Sequence, residues 1–241
     1  MIGSEGDLLG FDMARSKMPV PCVNASPPCF AHELAETNGG MDVIDPQQAL
    51  DVARWRSAKR KELLAHRAAL SVSAREALGR TLASQVINAI HNTYQRLDGK
   101  VLSLYWPIKS EPDLRQDLAS LLSLGMRLAL PVVETKNTPL SFYAWRPGDH
   151  MERGFWNIPV PATRNLVRPD ILLAPLVGWD EDGYRLGYGG GYFDRTLAAY
   201  EGPRLVIGVG LSHARLDTIF PQPYDQRLDM IITERGIEND S

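Results

Sequence analysis

The chain has 241 residues, 44% hydrophobic and 23% charged, with a formal net charge of −3. That suits one sizeable globular domain with a full core, and excludes a global basic field that would recruit nucleic acid or an anionic membrane. No apolar run approaches the roughly 18–20 residues that span a bilayer, and no basic segment followed by an apolar stretch opens the chain, so a cytoplasmic protein is expected.

Residues 1–44 hold Pro19, Pro21, Pro27 and Pro28 and the pair Gly39-Gly40, and sustain no apolar period. They read as a flexible N-terminal tail preceding a single domain over 45–241. Cys22 and Cys29 fall in that tail and read as free thiols. Asp45-Pro46-Gln47-Gln48 opens a helix, with Asp as cap and Pro in the first turn, that runs to about Leu70. Ser73-Ala-Arg-Glu76 reads as a capping box starting a second helix, whose Leu78, Leu82, Val86 and Ile90 form one apolar stripe.

From Val101 the rhythm changes to short apolar strands alternating with helices. Strands are expected over 101–106, 128–133, 140–145, 171–177, 205–209 and 230–233, and helices over 112–124 and 191–200. The run Ile171–Val177 suits a strand buried on both faces. This alternation predicts a three-layer α/β/α domain, Rossmann-like, with a mixed but mostly parallel sheet.

Four segments carry chemistry. In Gly187-Tyr-Gly-Gly-Gly191, four of five residues are glycine. Backbone N–H groups there can turn inward around an anion, and the helix that follows adds its positive end. The segment reads equally as a turn whose glycines only permit close packing, until its flanking Arg185, Tyr192 and Asp194 favour a site. On the first helix, Arg56 and Arg60 leave the same face one turn apart and can fork onto phosphate oxygens. Arg54, Lys59, Lys61 and Arg67 lie nearby, and spacing alone favours an ordinary solvated basic face. Glu111 follows a strand, where loops beyond carboxyl ends form ligand crevices. There a carboxylate can accept two hydrogen bonds from an amino-substituted ring, or simply favour a helix opening at Pro112. Asp225 and Asp229 lie near the C-terminus, and Asp194 with Asp225 can supply the carboxylate pair magnesium prefers, or serve as caps and turn residues.

In this order, the segments resemble the 5-formyltetrahydrofolate cyclo-ligase family, also called 5,10-methenyltetrahydrofolate synthetase. The resemblance runs from about Arg54 to Gly236, and its most specific mark is the run from Arg185 to Arg195. The segments Pro175–Asp180, Trp156-Asn-Ile-Pro159 and Asp225 to Glu234 are similar too. It implies an ATP- and Mg2+-dependent enzyme acting on 5-formyltetrahydrofolate. Arg56 and Arg60 are then the basic pair on ATP, and Gly187, Tyr188, Gly189, Gly190, Gly191 and Tyr192 the phosphate turn. Arg185 and Tyr192 are expected to take part in catalysis, Asp194 and Asp225 to hold magnesium, Glu111 to recognise the folate ring, and Trp156 to line its pocket. Val160 stands where many bacterial relatives carry an acid. A monomer is expected, with no nucleic-acid or membrane partner. Two alternatives stay open: a paralogue with the same ATP site and another acceptor, and a binding protein without turnover.

Overall fold

The computed structural model describes residues 46–202 and 204–238. The expected tail, its cysteines and the Asp45 cap lie outside the described residues. Helix α1 spans Pro46–Ala69 and α2 spans Val72–Thr93. The cap of α2 is Ser71 rather than Ser73: its Oγ accepts from Ala74 N at 3.1 Å, from an extended backbone that suits an N-cap. The expected stripe faces inward, with Leu82, Val86 and Ile90 fully buried and Leu78 packed alongside.

Strands β1 (Val101–Ser103), β2 (Arg127–Val132) and β3 (Ser141–Ala144) come next, and α3 (Arg115–Leu118) joins β1 to β2. The helix expected over 112–124 opens late because Asp113 folds back on Arg115, accepting from both its backbone and its guanidinium. It then tightens into a 3₁₀ turn over Ala119–Leu124, closed by Gly125 at φ 81°. The hairpin β4 (Met151–Arg153) and β5 (Pro159–Pro161) precedes β6 (Ile171–Pro175). A second short hairpin, β7 (Gly178–Trp179) with β8 (Arg185–Leu186), leads to α4 (Tyr192–Ala198), then β9 (Leu205–Val209), β10 (Met230–Thr233) and β11 (Gly236–Ile237).

Seven strands form one sheet in the order β11-β10-β9-β6-β1-β2-β3. The pairs β1–β2, β1–β6, β6–β9 and β9–β10 are parallel, and the edge strands β3 and β11 run antiparallel. Helices cover both faces, as expected of a three-layer α/β/α fold. Along β6, Ile171 and Leu173 belong to the core cluster that holds Leu82, Val86, Ile90 and Leu118, whereas Leu172 and Ala174 belong to the one that holds Leu63, Trp179 and Leu197. Leu173→Ala is therefore expected to cost about 2–5 kcal/mol in chemical denaturation. Leu166→Ala, at an exposed site, is expected to stay within about 0.5 kcal/mol.

The order of strands positions the site. From β1 the chain moves outward through β2 to β3, then crosses back and continues from β6 in the opposite direction. Such a reversal leaves a crevice beyond the carboxyl ends of the two central strands.

Candidate active site

A cavity of about 580 Å³ opens at that crevice. Its walls bring together Arg56 and Arg60 from α1, Glu111 from the loop after β1, Trp156 from the β4–β5 hairpin, and Asp225. The glycine turn with Arg185, Tyr192 and Asp194 forms the rest. Residues 169 positions apart thus share one wall.

The glycine turn joins β8 to α4. Gly189 and Gly191 adopt φ of 91° and 63°, where a side chain is strained. An added Cβ on Gly191 would also meet Arg195 Nη1 at 2.9 Å. Arg195 holds the turn in shape by donating to the carbonyl of Gly190. The N–H groups of Gly187 to Gly191 donate no hydrogen bond among the described residues, which leaves them available to an anion.

The two arginines of α1 differ in what they already hold. Arg56 is buried and fully engaged: Nε donates to Ile219 O at 2.9 Å, Nη2 to Phe220 O at 2.8 Å, and the guanidinium forks onto Asp225. Arg60 donates only Nε, to Gly187 O at 2.7 Å, and its terminal nitrogens have no partner among the described residues. Burial, and then the neighbouring Arg56 cation, pull the Arg60 pKa below the usual arginine value. An anion beside it would relieve both effects.

The carboxylates also differ. Asp194 Oδ1 accepts from Arg185 Nη2 at 2.7 Å and from Gln226 N at 3.1 Å, while Oδ2 has no partner among the described residues. Asp225 has both oxygens on Arg56, and Oδ2 also accepts from Gln222 N at 2.7 Å. Among the described residues no three His, Cys, Asp or Glu side chains cluster as a metal cage. Arg185 is buried, which pulls its pKa down, and the charge of Asp194 opposes that most.

Glu111 is 7% exposed. Its Oε2 accepts from Ile108 N at 2.8 Å and its Oε1 from the Tyr188 hydroxyl at 2.6 Å. Burial pushes its pKa up, and the Tyr188 and Ile108 hydrogen bonds, then the charges of Arg67 and Lys109, pull back against it. Tyr188 thus belongs to the glycine turn by its backbone and to Glu111 by its hydroxyl. Burial, then the Glu111 charge, raise the Tyr188 pKa, so the phenol stays a donor. Trp156 is 61% exposed and meets Tyr192 edge-on, ring centroids 5.4 Å apart at 79°. It sits on the hairpin tip at φ 53°, followed by Asn157 at φ 62°.

Sequence reasoning passed over one buried residue. Arg67, 5% exposed, donates Nε to Lys109 O at 3.1 Å, Nη1 to Leu176 O at 3.2 Å and Nη2 to the Tyr188 hydroxyl. The available signal was its step of seven from Arg60 and eleven from Arg56, which returns it to the same face of the helix.

Residues 52–234 match the 5-formyltetrahydrofolate cyclo-ligase family. The 5-formyltetrahydrofolate cyclo-ligase of Mycolicibacterium smegmatis is 33% identical over 151 residues, covering 59% of this chain and 78% of its own. That of Mycoplasma pneumoniae is 27% identical over 182 residues, covering 74% and 98%. The solution structure of 5,10-methenyltetrahydrofolate synthetase from Aquifex aeolicus aligns with a TM-score of 0.64 at 30% identity, covering 77% of this chain and 94% of that one. Sharing its fold with such synthetases and matched by the family along most of its length, the chain belongs to the 5-formyltetrahydrofolate cyclo-ligase family and is a ligase.

Proposed function

We propose that this protein cyclises 5-formyltetrahydrofolate to 5,10-methenyltetrahydrofolate, with ATP as co-substrate and magnesium as its ion, releasing ADP and phosphate. The observation that carries the reading is one cavity lined by the glycine turn, whose N–H groups have no partner among the described residues, by Arg60, whose terminal nitrogens have none, and by the buried acid Glu111.

A formamide oxygen is a poor leaving group. Here it attacks the γ-phosphorus of ATP, ADP departs, and the oxygen becomes part of a phosphate ester. The neighbouring amine nitrogen then bonds to the activated carbon, loses its proton, and the carbon–oxygen bond breaks to expel phosphate. Little acid–base chemistry is asked of the protein, so rate comes from positioning and charge neutralisation. The Gly187–Tyr192 turn and Arg60 hold the phosphates, with Arg56 alongside. Arg185 orients Asp194 at the transferring phosphate by donating Nη2 to its Oδ1, and Tyr192 packs at the reacting end. Glu111 accepts hydrogen bonds from the amino-substituted ring, and Trp156 stacks over it.

Asp194 Oδ2 fits magnesium, which takes one or two carboxylates and completes its shell with water and phosphate oxygens. Asp225 joins as a second ligand only where Arg56 turns from it towards phosphate. Bound there, the ion neutralises charge on the phosphate oxygens.

The test is absorbance in the methenyltetrahydrofolate band with purified protein, magnesium and 5-formyltetrahydrofolate, with and without ATP. An ATP-dependent rise is expected. No rise, with ATP still bound, would replace this reading with another acceptor on the same nucleotide site.

A further inference from the structure

Glu111 has a carboxylate's task in a place that disfavours charge. It is almost wholly buried at the end of the central strands, and burial alone drives such a group towards its neutral form. A protonated acid would offer an O–H where an amino-substituted ring requires acceptors.

The groups facing Glu111 counter this in a directed way. Arginine has donors and no acceptor. Arg67 Nη2 therefore donates to the Tyr188 oxygen, and the Tyr188 proton is left to point at Glu111 Oε1. The chain of hydrogen bonds has one sense, ending on an acceptor. Arg67 Nη2 also lies 4.0 Å from Glu111 Oε1, adding a direct ion pair between two buried side chains. The backbone between them is shaped for the arrangement: Lys109 and Ser110 are consecutive non-glycine residues at φ 46° and 63°. That strained pair presents Lys109 O to Arg67 Nε and Ile108 N to Glu111 Oε2. Lys109 Nζ lies over the Tyr188 ring, 5.0 Å from its centroid.

Resting on the proposed folate reading of the site, we propose that Arg67 is a positioning residue which, through the Tyr188 hydroxyl, holds Glu111 as a carboxylate aimed into the cavity and so sets recognition of the reduced pterin. Because Tyr188 also belongs to the glycine turn, the acid that reads one substrate is tied to the loop that holds the other.

The experiment uses the full chain and its Arg67→Met and Tyr188→Phe variants. Tyr188→Phe keeps the ring and removes only the hydroxyl, so it tests the relay even where Arg67→Met folds poorly. Three readouts are taken: KM for 5-formyltetrahydrofolate, KM for ATP, and the acid limb of kcat/KM for the folate. A carbon NMR titration of the Glu111 carboxyl, assigned with Glu111→Gln, is run beside them.

The other ionisable groups around Glu111 are unchanged in these variants: Tyr105 and Lys109 on its own side, and Arg75, Glu76, Arg80, Asp113 and Asp117 around the smaller cavity behind it. Any displacement of the acid limb therefore reports the altered relay. Folate KM is expected to rise about tenfold or more in both variants while ATP KM stays within about threefold, the loss expected for one hydrogen bond to a charged group. The acid limb and the carboxyl titration move about one unit to higher pH. A Tyr188→Phe enzyme with unchanged folate KM and an unmoved limb overturns the proposal. So does a rise of both KM values together with the titration in place. Wild-type protein without folate turnover would count against the function, not against the relay, which the NMR titration would still support by shifting or overturn by staying put.

Discussion

Asp194→Asn is expected to lower kcat about 100-fold or more and to raise the magnesium concentration that gives half-maximal rate. The substitution is nearly isosteric, and an amide oxygen can still accept from Gln226 N. What it removes is charge. Arg185, with its side chain 4% exposed, loses the carboxylate that lies 2.7 Å from its Nη2. A buried cation left without its counter-charge costs about 3 kcal/mol or more, so the melting temperature should fall as well. The two effects separate by titration. Rate loss with an unchanged magnesium requirement would assign Asp194 to Arg185 alone and remove it from the metal site.

Glu111→Gln is expected to raise KM for 5-formyltetrahydrofolate about 100-fold and leave KM for ATP nearly unchanged, measured by initial rates across both substrates. The amide keeps one acceptor and loses one hydrogen bond to a charged oxygen, which contributes about 1.5–3 kcal/mol, and about 2.7 kcal/mol corresponds to a hundredfold in affinity. Equal effects on both substrates would take Glu111 out of the folate site. Stability moves the other way. The Glu111 pKa is raised in the folded protein, by burial above all. Its favourable contribution is therefore fully present only below its unfolded value and is lost as pH rises through the folded one. The glutamine variant carries no such titration. Relative to wild type, Glu111→Gln should therefore gain stability as pH rises through the Glu111 titration, set against the loss of its buried ion pair with Arg67.

Much of the fold was legible because burial on two faces leaves unbroken apolar runs. Leu205–Val209 and Met230–Thr233 are strands with the bounds the sequence suggests. The hairpin β7–β8 escaped notice because two-residue strands carry too little period to read. The start of α2 was misread for a local reason: Ser71 and Ser73 both suit a cap, and Glu76 favoured the wrong one. Which residues line the cavity was legible from motif and order. How they pair was not, since Arg56 with Asp225 and Tyr188 with Glu111 are tertiary contacts that no spacing encodes. Arg67 was hidden among basic neighbours that look alike until the helix is wound.

Helix α1 serves as a ruler for the cleft. From Arg56 to Arg67 is eleven residues, about 16 Å along one rigid rod. The near end meets Asp225, the middle meets the glycine turn, and the far end meets the acid assigned to the pterin. Single replacements along its outer face leave these distances alone. One residue inserted between Arg60 and Arg67 would turn everything beyond it by about 100° and push it about 1.5 Å further on. Arg67 would leave Lys109 O and Leu176 O, while Arg60 stayed on Gly187 O. On the proposed reading, the separation between the two reactants is thus written into the length of one helical segment, which tolerates changes of residue far better than changes of count.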